Sequence, residues 1–485
     1  MIDVLARRRA GVLLHATSLP GRGSTGTLGA NAYRFVDFLC AGGFTVWQTL
    51  PLGPVDAYGS PYCLQSTQAG NTRLIDWDAL RRLPDVPRTF ARGGAAGSPA
   101  EVYREFAAVA SRRERAAYAA FVRANRAWLW PYGLFRVFEA RFGGEPWWLW
   151  PAAHRHRERG VLARGWSQIK DAFRGTLLLQ YLFDLEWTAL KRYANSRGVY
   201  LFGDLPFYVD MNSVEVWWNR RLFRVSADGV PDGVAGVPPD YFSADGQRWG
   251  NPLFDWDEMQ RHGFAWWVAR IAGQLRRFDL LRIDHFRALE SYWEIPATAS
   301  NAREGQWRRG SGEELLARVR EELGALPLVA EDLGIITDEV RALRDRHGLP
   351  GMAVLQFAFD GLPENPHLPQ HHSTRTVAYT GTHDNDTTVG WYAKLAPAAR
   401  ELVRTGLALE SVEVPDAMLD AVYASRAHLA IVPMQDLLGL DSDARMNTPG
   451  TTQGNWRWRL RWADIPGELA GQCHERAERY ARVVS

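Results

Sequence analysis

Three carboxylates stand in contexts that suit nucleophilic and acid–base chemistry. In Leu281-Arg282-Ile283-Asp284-His285-Phe286-Arg287, Arg282 and Asp284 lie two residues apart, so on a strand both side chains face the same way. The guanidinium would keep Asp284 ionised at neutral pH, the state a carboxylate nucleophile needs. The competing reading is a structural ion pair at a strand end. In Leu328-Val329-Ala330-Glu331-Asp332-Leu333-Gly334 a carboxyl follows three apolar residues. Partial desolvation there would raise its pKa and hold a proton for a departing oxygen, as a general acid must. The neighbouring Asp332 reads as a cap for the next helix. In Tyr379-Thr380-Gly381-Thr382-His383-Asp384-Asn385-Asp386, Asp384 beside His383 offers a pair able to hydrogen-bond two adjacent hydroxyls. A nucleophilic and an acidic carboxyl together are the equipment of retaining glycosyl transfer.

Such groups need elements that bring them to one place. Eight short apolar runs recur along the chain, at 11–16, 44–50, 200–206, 280–286, 328–332, 352–359, 376–382 and 430–435. They are separated by helical spacing or by Gly/Pro-rich loops, the pattern of parallel βα units. Asp204, Asp284, Glu331 and Asp384 sit at or just past the carboxyl ends of four of these runs. In a (β/α)8 barrel those ends form one face, where catalytic groups gather. A barrel needs about 250 residues and accepts insertions in its loops, so 485 residues fit an α/β fold of one catalytic barrel with large insertions. Residues 80–174, rich in Ala, Arg and Glu, with Tyr103, Phe106 and Val109 at helical spacing, read as an inserted helical subdomain. Pro84, Pro87 and the stretch 93–99 lead into it. Residues 209–257, dense in Gly, Pro, Asp and aromatics, read as a second insertion, a structured loop. About fifty residues after the last run leave room for closing helices and not for a C-terminal β domain.

Composition narrows the partners. With 57 basic and 55 acidic residues the formal charge is +2, which points to neither nucleic acid nor an anionic membrane surface but to a neutral substrate. The 21 Trp, 16 Tyr and 21 Phe supply flat faces that stack on sugar rings, although most must serve the core. Three cysteines, Cys40, Cys63 and Cys473, show no CxxC spacing and suit a reducing compartment. The apolar run 12–14 after Arg7-Arg8-Arg9 is too short for a signal peptide core, and no run spans a membrane. A cytoplasmic protein is expected.

Taken together, the motifs closely resemble those of the amylomaltases, the bacterial 4-α-glucanotransferases related to the plant disproportionating enzyme. The resemblance runs through most of the barrel: Pro51-Leu52-Gly53-Pro54, Ser60-Pro61-Tyr62, Gly203-Asp204-Leu205-Pro206, Trp249-Gly250-Asn251-Pro252, the three carboxylate motifs, and Arg445-Met446-Asn447-Thr448-Pro449-Gly450. It implies one barrel with insertions, no cofactor and no required metal. It also implies maltooligosaccharide, starch or glycogen as substrate, and a monomer or weak homo-oligomer. By matching motifs, Asp284 corresponds to the nucleophile, Glu331 to the acid/base and Asp384 to the transition-state stabiliser. Tyr62 resembles the residue that stacks on the transferred sugar, with Tyr58 and Ser60 nearby. Asp204, Arg282, His383 and Asn447 resemble residues that hydrogen-bond that sugar. Trp249 sits in the segment 241–249, similar to a mobile acceptor-side loop whose Ser243, Ala244 and Gly246 suit bending over glucan, and Asn251 stands just after it. Two departures stand out. Ala57-Tyr58-Gly59-Ser60 lacks an acidic residue after its glycine, and Gln68 stands where an aromatic is expected.

Three rival functions share parts of this equipment. The same carboxylates would serve an α-amylase or α-glucosidase. His285, Glu331, Asp332, His383, Asp384 and Asp386 could ligate a metal in a hydrolase. A non-catalytic glucan-binding protein could keep the barrel alone.

Overall fold

Each of the eight apolar runs contributes one parallel strand. The protein is represented by a computed structural model that describes residues 4–21, 23–56, 58–88, 90, 97–160, 165–239, 244–407 and 413–484. The strands are β1 (Arg9–Leu13), β2 (Val46–Gln48), β3 (Tyr200–Leu205), β6 (Leu280–Ile283), β9 (Leu328–Ala330), β10 (Gly351–Val354), β11 (Thr376–Tyr379) and β12 (Leu429–Pro433). They pair in the order β10-β11-β12-β1-β2-β3-β6-β9, all parallel. Across the remaining seam Ala330 N–H donates to Pro350 O at 2.8 Å, closing a (β/α)8 barrel. Asp332 strengthens that seam: it accepts from Met352 N–H at 2.7 Å and pairs with Arg344. The expected helix cap at Asp332 is therefore not formed. Its carboxylate is drawn to the open strand edge, and the helix Asp338–Arg346 starts at Thr337 instead.

Alternation along the strands decides what fills the barrel. Val46, Phe202, Leu280, Val329, Met352, Val377, Leu429 and Ile431 form one buried cluster. Gly11 is required there: a Cβ would meet Ile431 Cδ1 at 2.5 Å and Val46 Cβ at 2.8 Å. Two residues further along, the same inward rows carry Gln48, Asp204, Arg282 and Tyr379, all buried. Tyr379 Oη donates to Gln48 Oε1 at 3.0 Å. Polar groups above an apolar plug give the carboxyl-end face its chemistry.

Between β2 and β3 lie helices Pro99–Val109, Arg112–Ala124 and Arg126–Arg141, then the 31-residue helix Trp166–Ser196, which returns the chain to β3. Ser98 with Glu101, and Ser111 with Glu114, form capping boxes that start the first two. A Cβ on Gly175 would lie 1.7 Å from Pro99 O, so this glycine permits the long helix to cross so closely. The long helix also steadies the loop after β2. Gln180 bonds the N–H and C=O of Gly70, and Glu186 accepts from Asp76 N–H. That loop carries Tyr62.

A second sheet is antiparallel, in the order β5-β4-β7-β8, from β4 (Gly233–Val237), β5 (Gln247–Pro252), β7 (Ser291–Pro296) and β8 (Gln306–Arg309). It joins the segment 209–257 to the residues that follow β6. Beyond β12 the described chain forms short helices, turns and the helix Leu469–Arg479. No helix of the described residues is long and apolar enough to cross a membrane.

Candidate active site

Asp284 and Glu331 emerge from neighbouring strands. Ile283 pairs with Ala330, so the next residue of each chain reaches the same rim, and Glu331 N–H donates to Ile283 O at 3.0 Å. Arg282, one pleat below, sits between them. Its Nη2 is 2.9 Å from Asp284 Oδ1 and 3.9 Å from Glu331 Oε2, while its Nη1 donates to Asp204 Oδ2 at 2.7 Å. The Asp284 and Glu331 oxygens are thus no further apart than the sum of the first two distances, 6.8 Å. Backbone geometry aims Glu331. His285 adopts the left-handed conformation, φ +49°, and its N–H donates to Glu331 Oε2 at 2.7 Å. Leu333 N–H holds the other oxygen at 3.0 Å. The Asp284 side chain is 28% exposed and that of Glu331 12%, so the first is the more open to the cleft.

Asp384 stands across the rim, after β11. Asn447 Nδ2 donates to its Oδ1 at 2.7 Å, Arg445 Nη2 to its carbonyl at 2.6 Å, and His383 Nε2 lies 3.4 Å from Oδ2. Tyr62 joins the two halves. Its hydroxyl donates to Asp204 Oδ2 at 2.7 Å and lies 2.8 Å from His383 Nε2, and its ring stacks on the imidazole, centroids 5.3 Å apart at 16°. Ser60 Oγ accepts from Tyr62 N–H at 3.3 Å and so shapes the turn beneath that ring. Asp204 is fully buried and Arg282 nearly so. Both lie under the cleft floor, holding Tyr62, Asp284 and Glu331.

The other sequence-predicted residues fall at the margins. Tyr58 is 69% exposed on a turn whose N–H groups, those of Tyr58, Gly59 and Ser60, converge on Asp56 Oδ1. Ala57 in that turn and Ser243 in the segment 241–249 lie outside the described residues. Trp249, on β5, sets its indole against the His285 ring at 4.8 Å, next to Asp284 in sequence. Asn251 Nδ2 donates to Val209 O at 2.9 Å, tying β5 to the segment after β3. Gln68 faces away from the cleft: its Nε2 donates to Ala269 O at 3.0 Å, and it packs so closely on Gly273 that a Cβ there would be 2.1 Å from its Oε1.

Trp456 escaped the sequence reading. Held in the left-handed region at φ +62°, with its N–H on Met446 O at 2.7 Å, it lies 6.1 Å from both Tyr62 and His383. The available signal was a tryptophan in the Gly/Asn-rich stretch 450–456 just after the Arg445–Gly450 motif. The sequence offers His285 only as a metal ligand. Its ring instead packs between Phe207, Tyr208 and Trp249. Asp332 is committed to the barrel seam, and Asp386 to Lys394 and Ser442. Among the described residues no three His, Cys, Asp or Glu side chains gather as a metal cluster.

Electrostatics modify one expectation. Burial is the largest influence on Asp284 and pushes its carboxyl up, to about 8; Arg282 opposes, and Asp204, Glu331 and Asp384 add to the rise. The expected ion pair with Arg282 forms, yet lost hydration and three nearby carboxylates outweigh it. Glu331 is also raised, chiefly by burial, against Arg282 and the N–H groups of Leu333 and His285. Two carboxyls sharing one guanidinium hold a proton between them near neutral pH. The shorter ion pair, at Asp284, favours that proton on Glu331. Burial lowers His383, leaving a neutral imidazole.

Comparison with known proteins agrees with this geometry. The family model described as 4-alpha-glucanotransferase matches residues 14–464. The chain is similar to the 4-alpha-glucanotransferase of Thermus thermophilus, 46% identical over 96% of both chains. It is similar also to the chloroplastic/amyloplastic 4-alpha-glucanotransferase of Solanum tuberosum, 39% identical over 94% of this chain and 82% of that one. Among solved structures, an amylomaltase from Streptococcus agalactiae in complex with acarbose superimposes with a TM-score of 0.93 at 34% identity, covering 99% of this chain and 100% of that one. A match over most of the chain and full-length relatives at this identity place the protein in the 4-alpha-glucanotransferase family.

Proposed function

We propose that the protein moves α-1,4-glucan segments from a donor maltodextrin, starch or glycogen chain to the 4-hydroxyl of an acceptor maltodextrin or glucose, with retention at the anomeric carbon. Asp284 attacks the anomeric carbon as the glycosidic C–O bond breaks, and the departing oxygen takes the proton of Glu331. The covalent glycosyl-enzyme is then attacked by the acceptor hydroxyl. That hydroxyl gives its proton back to Glu331, and the ester electrons return to Asp284. Asp384, held by Asn447 and Arg445, lies across the rim to stabilise positive charge on the sugar ring. Tyr62, braced by Asp204 and His383, stacks on the donor sugar, and Trp249 flanks the acceptor side.

The observation that carries this reading is the shared guanidinium. It bounds the Asp284–Glu331 separation at 6.8 Å, below most of the roughly 6.5–9.5 Å range that leaves room for an attacking water in inverting enzymes. Transfer over hydrolysis demands an acceptor held at high effective molarity, a task we assign to the inserted subdomain 209–257. The helical insertion 80–174 braces the Tyr62 loop through Glu139, which accepts from Gln65 Nε2 at 2.5 Å. Three free cysteines support a reducing, cytoplasmic setting. Incubation with maltotriose tests the function: a ladder of longer maltodextrins plus glucose is expected. Glucose and maltose alone, with nothing longer, would mark an α-glucan hydrolase.

A further inference from the structure

β8 is an edge strand whose four residues, Gln306-Trp307-Arg308-Arg309, are all exposed. A tryptophan there is an anomaly, since edge strands favour charge and an exposed indole leaves a large apolar face in water. Trp307 is 41% exposed, yet it is not loosely placed. The Arg287 guanidinium sits 3.8 Å from its ring centroid, and Trp293 packs against it at 5.1 Å and 68°. Arg287 is buried, and its Nη1 donates to Ile335 O. Ile335 is itself 54% exposed and ends the turn whose Leu333 N–H holds Glu331. A continuous path therefore leads from the general acid, along the 331–335 turn and through Arg287, to a braced indole. Trp249, whose indole packs on His285, lies on the opposite edge strand of the same sheet, three strand spacings or roughly 14 Å away at the backbone.

We propose that Trp307 is a platform for the reducing-end continuation of the acceptor glucan, beyond the sugar whose 4-hydroxyl reacts. This rests on the transfer function proposed above. The leaving and entering chains both occupy the side that Glu331 serves, because Glu331 protonates one and deprotonates the other. A glucan leaving that side over the 331–335 turn meets Ile335 and then Trp307. The substrate is uncharged and the indole offers a flat apolar face for the C–H face of a sugar ring. Arg287 covers part of the ring and fixes its angle, so little side-chain entropy is lost when a sugar stacks.

The test uses α-maltosyl fluoride as donor, whose leaving group leaves the acceptor side empty, with glucose or maltopentaose as acceptor. Trp307→Ala should raise KM for maltopentaose roughly three- to tenfold, leaving kcat and the KM for glucose unchanged. Trp307→Phe should recover most of the loss. Equal effects on both acceptors would make Trp307 a mere support for the Glu331 turn and overturn the proposal, as would no effect on either. Failure of the unaltered protein to transfer to glucose at all would instead sink the transfer function itself.

Discussion

Replacing Asp284 by Asn should stabilise the protein while abolishing transfer, and the gain should appear only as pH rises. The proton that Asp284 and Glu331 share in the native state is held up to about 8, because burial and neighbouring carboxylates outweigh Arg282, against an ordinary value of 3.8 for Asp284 in the unfolded chain. Between those values the native state binds the proton more tightly than the unfolded state does. Stability is therefore greatest below the lower value and falls as pH climbs toward the upper one. Each pH unit is worth up to about 1.4 kcal/mol. Asp284 is 28% exposed at an open cleft, so screening by water reduces the whole window to about 2 kcal/mol. At about 2.1 cal/mol/K per residue, 485 residues unfold with an entropy of about 1 kcal/mol/K, so the expected gain in Tm is about 2 °C. The assay is differential scanning calorimetry of both proteins from pH 4 to 8. At pH 4 both native side chains are neutral and the pH-dependent difference has barely begun, which makes that point the baseline. Tm curves that stay parallel, or an Asn variant that loses ground as pH rises, would refute the argument and show that Asp284 and Glu331 share no proton near neutral pH.

Two further outcomes test the site and the scaffold separately. Glu331→Gln should still be glycosylated by α-maltosyl fluoride, which needs no proton on its leaving group, and peptide mass spectrometry should find the sugar on Asp284; a label elsewhere moves the nucleophile. Asp332→Ala removes the carboxylate that Met352 N–H and Arg344 share at the barrel seam, so urea denaturation should report a loss of about 3 kcal/mol with KM little changed; an unaffected midpoint would show the seam closes without it.

The barrel was legible in the sequence because its strands are buried on both sides and read as short apolar runs, and because polar residues stop those runs at one rim. The same regularity made Asp204, Asp284, Glu331 and Asp384 visible as strand-end carboxylates. What escaped is what lacks that contrast. The antiparallel sheet hides because Gln247–Pro252 is mostly polar and only half-buried and Gln306–Arg309 is wholly exposed, with no alternation to betray them. Asp332 was misplaced because a carboxylate before a helix suits a cap locally, whereas the seam that claims it forms only when β10 arrives from twenty residues away. Asp204 and Arg282 were expected against the sugar, and only depth, invisible in sequence, sets them beneath the floor.

That depth bears on how one site can run two opposite half-reactions. Before bond cleavage the Asp284–Glu331 pair carries one negative charge, on Asp284, with the proton on Glu331. Afterwards the ester at Asp284 is neutral and Glu331 has become the carboxylate, so the pair still carries one negative charge, moved by at most 6.8 Å. Arg282 reaches both ends of that displacement without moving, at 2.9 and 3.9 Å, and is anchored from below by Asp204 at 2.7 Å. A cation fixed between the two positions of a migrating charge favours neither half-reaction strongly over the other. Near-equal half-reactions suit a transferase, whose bond broken and bond formed are chemically alike, and whose glycosyl-enzyme must persist until an acceptor 4-hydroxyl arrives.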